Sequence, residues 1–168
     1  MSGVVMKTLL LLRHGKSSWR TGWTDDSERP LSERGGKDAR RMGSFLGRLR
    51  QAPEQVLSSP AVRALDTVRL AAEAGGWRCP METVPEFYPG SVGAVLDRVR
   101  RERDKIETLL LVGHQPMWSN VAAELVGGAV LRFPTSALVR IVLAVESWRE
   151  IGRGRGELIW LVTPRLLK

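Results

Sequence analysis

The sequence contains one cysteine, Cys79, among its 168 residues. A lone cysteine excludes an internal disulfide and leaves no thiolate cluster for structural zinc. A reducing, cytoplasmic setting is the expectation that follows. Long apolar runs are missing as well. The run from Thr8 to Leu12 stops at Arg13, too short for a signal-peptide core and far too short to span a bilayer. No other run approaches membrane length, so no membrane partner is expected. There is no repeat of solenoid length and no low-complexity segment. Carboxylates are in deficit: 18 acidic residues stand against 26 basic ones, for a formal charge of +8. Such a balance suits an anionic partner, whether nucleic acid, phosphate ester or acidic protein. The densest basic cluster, Asp97 to Lys105, carries Asp97, Glu102 and Asp104 among its bases. It reads as a solvated helix face, which argues against a nucleic-acid strip.

What is present describes an ordinary globular chain, 43% hydrophobic and 26% charged. Residues 1–168 are long enough for one domain with a real core. Apolar runs of strand length alternate with helical periodicity. Lys7 to Leu12, Glu54 to Ser59, Met81 to Val84 and Thr108 to Val112 read as strands. Ser32 caps a predicted helix with Ala39, Met42, Phe45, Leu46 and Leu49 at helical spacing. A second helix is predicted from Pro60 behind a Ser59 cap, with Val62, Leu65, Val68 and Ala72 on one face. Ser91 caps a third carrying Val92, Val95, Leu96 and Val99. Pro116 opens a fourth with Val121, Ala122 and Leu125. Ala137 to Val145 and Glu157 to Val162 read as a terminal hairpin. The expected fold is α/β, in three α/β/α layers, with a mostly parallel sheet closed by that antiparallel hairpin.

Histidine is scarce too. There are two, and their contexts match: "TLLLLRHGK" around His14 and "TLLLVGHQP" around His114. In open α/β sheets ligands bind beyond the carboxyl ends of the strands. Both histidines fall at that edge, and so does "SSPAVRALDT", Ser58 to Thr67, with Arg63 one turn into a helix. Arg13, His14, Arg63 and His114 therefore gather on one rim. Two arginines can fork around a phosphoryl group. A neutral histidine can attack phosphorus, and a second can stabilise charge on the transferring group. No carboxylate or thiol stands at metal-ligand spacing from either histidine, so neither a metal nor a cofactor is expected.

These three blocks resemble the histidine phosphatase superfamily, also called phosphoglycerate mutase-like. "RHGKSSW", "RPLSERG" and "LVTP" look like its SixA phosphohistidine phosphatase branch. The resemblance implies that His14 is the phosphorylated nucleophile, with Arg13, Arg63 and His114 completing the phosphate pocket and Lys16 and Ser17 as further phosphate donors. A general acid is less evident. Gln115 stands where some branches place an aspartate, so Glu86 in "VPEFYPG" is the nearest candidate, with Asp25 and Asp26 behind it. Trp19, Trp23 and Trp118 follow the motifs closely enough to wall the pocket mouth. The implied function is a metal-independent phosphatase, with phosphohistidine on a protein as preferred substrate. The alternatives are a small-metabolite phosphomonoesterase using the same site, or a non-catalytic module that holds phosphate or nucleic acid. A mutase is disfavoured, because the chain lacks the length for insertions that enclose sugar phosphates.

Overall fold

The structure is a computed structural model that describes residues 6–20 and 22–168. Its principal elements, in chain order, are β1 (Lys7–Arg13), α1 (Glu33–Arg48), β2 (Gln55–Ser58), α2 (Val62–Gly75), β3 (Met81–Thr83), α3 (Val92–Val99), β4 (Thr108–Gly113), α4 (Met117–Leu125), β5 (Leu138–Leu143) and β6 (Gly156–Val162). The strands form one sheet in the order β3-β2-β4-β1-β5-β6. β1 to β4 run parallel, β5 is antiparallel to β1, and β6 returns antiparallel to β5. The α/β architecture with its closing hairpin is therefore as the apolar runs imply. No helix among the described residues is long and apolar enough to cross a membrane.

The continuous apolar character of β1 and β4 follows from burial on both faces. Successive side chains along a strand point to opposite sides. Leu9, Leu11, Leu109 and Leu111 pack with Val95 and Leu96 of α3 and Val121 and Leu125 of α4. Leu10, Leu12, Leu110 and Val112 pack with Met42 and Leu46 of α1 and Val68 and Ala71 of α2. The two clusters are the interfaces between the central sheet and the helical layers on its two faces.

Topology decides where a ligand can enter. The chain leaves β1 through α1 on one face and leaves β4 through α4 on the other, and β1 and β4 are neighbours with Arg13 paired to Gly113. Adjacent strands whose connections diverge to opposite faces open a crevice at their carboxyl ends. His14 and His114 are the first residues past those two ends.

One helix boundary departs from the sequence expectation. α2 begins at Val62 behind Ala61, not at Pro60 behind a Ser59 cap. The Ser59 hydroxyl instead accepts from the Ala61 N–H at 3.2 Å and faces a histidine ring, so it is engaged at the sheet edge rather than with a helix end. The buried side of α2 holds Arg63, Ala64, Thr67, Val68, Ala71 and Ala72, while Val62 and Leu65 are only half-buried. The face is turned because Arg63 and Thr67 reach inward to the rim. Close approach fixes the rest. A Cβ at Gly43 would lie 1.9 Å from the Ala71 carbonyl oxygen, so α1 and α2 touch backbone to backbone.

Candidate active site

The β1 end is locked before any side chain acts. The His14 N–H donates to the Gly113 carbonyl at 3.0 Å, and the Ser136 N–H donates to the His14 carbonyl at 3.1 Å. The Gly15 N–H donates to Thr67 Oγ1 at 2.9 Å, and that hydroxyl donates in turn to the Arg63 carbonyl at 2.6 Å. Gly15 also lies against the start of α1. A Cβ on Gly15 would sit 2.7 Å from the Gly35 carbonyl oxygen, and one on Gly35 would sit 2.2 Å from that of Lys16. The glycines of "RHGK" and "SERG" are therefore the two sides of one backbone contact.

His14 is 7% exposed. Its Nδ1 lies 2.7 Å from the Gly15 carbonyl oxygen. A carbonyl only accepts, so Nδ1 carries the proton and Nε2 presents its lone pair. The His114 ring is 5.0 Å away, centroid to centroid. Its Nε2 is 2.7 Å from Ser59 Oγ, and its buried Nδ1 has no hydrogen-bond partner among the described residues. Burial pushes the His14 pKa down to about 4, opposed by the Gly15 carbonyl and reinforced by Arg63, Arg13 and Arg29. Burial first, then His14 and Arg63, pushes His114 down to about 3. Both rings are neutral at physiological pH.

Three arginines surround the pair. Arg13 donates through Nη1 to the Phe133 carbonyl at 2.9 Å. Arg63, 4% exposed, donates through Nη1 to the Asp26 carbonyl at 2.6 Å and through Nη2 to Asp26 Oδ2 at 2.8 Å. The Tyr88 hydroxyl donates to the same Oδ2 at 2.8 Å, and Arg29 lies 3.2 Å from Oδ1. Tyr88, then Arg63 and Arg29, hold the Asp26 carboxyl below the usual carboxylate range against the effect of desolvation. Together these residues line a cleft of about 630 Å³ that also takes in Lys16, Ser17, Trp19, Arg34, Gln115 and Thr135.

The residues singled out by sequence divide clearly. Arg13, His14, Lys16, Ser17, Arg63 and His114 all line this cleft. Glu86 does not: it stands on the short turn Pro85–Phe87 with its carboxylate 3.7 Å from Arg101. Asp25 is spent on capping the turn Asp26–Glu28 through the Ser27 N–H. Trp118 is not at the mouth but fully buried, where its Nε1–H donates to the Leu12 carbonyl at 2.9 Å and its ring covers Gly113. Trp23 is exposed away from the cleft; Trp19 remains at the rim, 4.2 Å from the Arg29 guanidinium. Sequence reasoning missed Tyr88, Thr67, the Ser59 side chain and the Phe133–Ser136 segment. The signal for Tyr88 was its place two residues beyond Glu86, just before Pro89-Gly90.

A match to the histidine phosphatase superfamily (branch 1) spans residues 9–108. The chain belongs to that superfamily. The phosphohistidine phosphatase SixA of Escherichia coli (strain K12) is 30% identical over 165 residues, covering 95% of this chain and 96% of the relative. An uncharacterized Mycobacterium tuberculosis protein is 30% identical over 164 residues, covering 92% of this chain and all of its own. A structure of the protein histidine phosphatase SixA complexed with tungstate superposes with a TM-score of 0.83 at 27% identity, covering 96% of this chain and 99% of that one. This histidine phosphatase is of the SixA type, and it is a phosphatase by class.

The depressed histidine pKa values make a direct prediction. Imidazole resonances of His14 and His114, followed by heteronuclear NMR, should report neutral rings at pH 6 and protonation only as pH falls towards about 4 and about 3. In the unfolded chain both titrate near ~6.5. The unfolded state therefore binds more protons below that value, and stability falls as pH drops from ~6.5 towards the folded values, by at most about 1.4 kcal/mol per pH unit for each histidine. A folded-state midpoint near 6.5 for either ring would contradict the buried, arginine-flanked arrangement.

Proposed function

We propose that this phosphatase hydrolyses phosphohistidine on a protein substrate, through a phosphorylated His14 and without a metal ion. The observation that carries the reading is the His14 ring: neutral, fixed through Nδ1 on its neighbour's carbonyl, with Nε2 free beside Arg13, Arg63 and His114. Nε2 attacks phosphorus as the bond from phosphorus to the substrate imidazole breaks, and the departing ring carries a proton from water. Water then attacks phospho-His14, which releases inorganic phosphate and returns His14 to its neutral form. Arg13 and Arg63 offset the phosphoryl charge through transfer, and His114 Nδ1, when protonated, donates to an equatorial oxygen. The cations of the cleft supply the charge stabilisation that a divalent ion provides elsewhere.

The choice of substrate rests on leaving groups. An alkoxide needs a placed acid, worth ~10²–10⁴ in rate; an imidazole leaves readily. Among the described residues lining the cleft, Asp26 is the one carboxylate, and it is held ionised by Tyr88, Arg63 and Arg29. The connections after β2 and β4 run only over Ser59–Ala61 and His114–Pro116, too short to cap the cleft. An open cleft admits a residue borne on a protein. The name of the Escherichia coli relative agrees with this reading.

The test is a substrate panel: phosphoramidate, a phosphohistidine protein and several alkyl phosphates, each with and without chelator. Phosphoramidates should be preferred by at least ~10² in kcat/KM, with chelator changing nothing. Glu86→Gln should stay within about threefold of the parent, since that carboxylate is exposed and faces Arg101. Equal turnover of sugar phosphates, abolished by Glu86→Gln, would instead establish a phosphomonoesterase with Glu86 as its acid.

A further inference from the structure

Beside the cleft lies a second depression of about 820 Å³, bounded by the start of α1, the segment before β5 and the chain following β6. Arg34 and Thr135 line both, so the two are continuous. Six basic side chains border it: Arg34, Lys37, Arg41, Arg132, Arg165 and Lys168. Its two carboxylates are already engaged. Glu33 lies 2.6 Å from Lys37, and Asp38 lies 3.0 Å from Arg41 and 3.6 Å from Arg34. Among the described residues, Arg132 and Arg165 take part in no ion pair and are exposed. Leu161, Pro134 and Pro164 give the groove an apolar floor. Nothing in the chemistry of the cleft needs this cationic extension, because Arg13, Arg29 and Arg63 already line the cleft where a phosphoryl group would sit.

We infer that this groove binds an acidic stretch of the phosphohistidine protein, next to the modified residue, and so sets which phosphoproteins are turned over. The inference rests on the phosphohistidine reading of the cleft and adds the chemistry of the partner's surface. Charge of one sign, open to solvent and contiguous with the reacting centre, raises the local concentration of an oppositely charged substrate and its rate of association. The apolar floor gives such a segment something to cover once its carboxylates are paired. A phosphate-backbone polymer would use the same cations but gains nothing from presenting phosphohistidine to the cleft.

Two synthetic peptides test this, each with one phosphohistidine, one flanked by glutamates and the other by glutamines, with free phosphoramidate as the small control. The parent enzyme should favour the glutamate peptide by about tenfold in kcat/KM at low salt, and the preference should vanish near ~0.5 M salt. The variant Lys37→Gln/Arg132→Gln/Arg165→Gln should lose that preference while hydrolysing phosphoramidate at the parental rate; these side chains do not line the cleft. The pair Lys37→Gln/Arg165→Gln, with Arg132 retained, should show a partial loss and guards against a folding defect in the triple variant. Direct binding of polyglutamate, by calorimetry, should weaken in parallel. Equal treatment of the two peptides by the parent, or an undiminished preference in the triple variant, would overturn the inference. So would an oligonucleotide that displaces polyglutamate and is itself bound more tightly. If neither peptide is turned over faster than alkyl phosphates, the phosphohistidine reading fails, and the polyglutamate titration still decides whether the groove holds acidic chains.

Discussion

His14→Ala should lower turnover of every substrate by at least ~10³-fold, the scale on which removing a covalent nucleophile acts. No other cleft group can replace it. His114 Nε2 is engaged with Ser59 Oγ, and Lys16 is an exposed side chain at the rim. The fold should survive, because the turn is held by backbone and by Thr67: His14 N–H on Gly113, Gly15 N–H on Thr67 Oγ1. Circular dichroism and thermal unfolding close to parental values, beside abolished turnover, are the expected pair of results. Label from radioactive substrate phosphate should be trapped on His14 in the parent, in the alkali-stable, acid-labile form of a phosphoramidate bond. Residual activity within about tenfold of the parent would sink the nucleophile assignment.

Arg63→Ala should cost roughly 10²–10³ in kcat/KM, the usual range when one preorganised donor to a developing charge is lost. The geometry adds a second penalty. Arg63 holds Asp26 with both terminal nitrogens, Nη1 on its backbone carbonyl and Nη2 on its carboxylate, so its removal leaves that anion beside the phosphoryl site with less compensation. Arg63→Ala/Asp26→Asn should therefore recover part of the loss, although Asp26→Asn alone gives no gain. A double-mutant cycle on kcat/KM measures the coupling. Strict additivity would show that Asp26 and Arg63 do not act on each other, and a parental rate in Arg63→Ala would remove Arg63 from the site altogether.

The rim was legible because strands reveal their ends. Continuous apolar runs that stop at Arg13-His14 and Gly113-His114 declare a sheet buried on both faces and an edge where polar groups emerge. Arg63 was legible through its distance from the third such end. What lay hidden depended on loops. The segment from Gly15 to Leu31 has no periodicity, so nothing local indicates that Asp26 crosses to Arg63, 37 positions away, or that Tyr88 meets it from 62 positions away. Glu86 looked suitable by residue type, but in the tight turn Pro85–Phe87 it is Tyr88 that reaches the cleft and Glu86 that faces Arg101. The Ser59 cap failed for a related reason. A serine before proline is an ordinary helix start, yet this one is drawn to a histidine that only the tertiary fold brings near.

The glycines of α1 carry a consequence for engineering. Helical glycine is weaker than alanine by about 1 kcal/mol, and replacing it is a standard route to thermostable variants. Here that route is mostly shut. At Gly35, Gly43 and Gly47 an added methyl group would fall 2.2 Å, 1.9 Å and 2.7 Å from a backbone carbonyl oxygen. At Gly35 the obstructing oxygen is that of Lys16, so a mutation chosen to harden a helix would push on the turn that aims His14. Gly36 differs: its nearest neighbours would be the Leu70 Cδ1 at 3.5 Å and an Arg40 nitrogen at 3.8 Å, ordinary contacts. A library meant to toughen this helix while sparing catalysis has one glycine in α1 open to it, adjacent to one that must stay as it is.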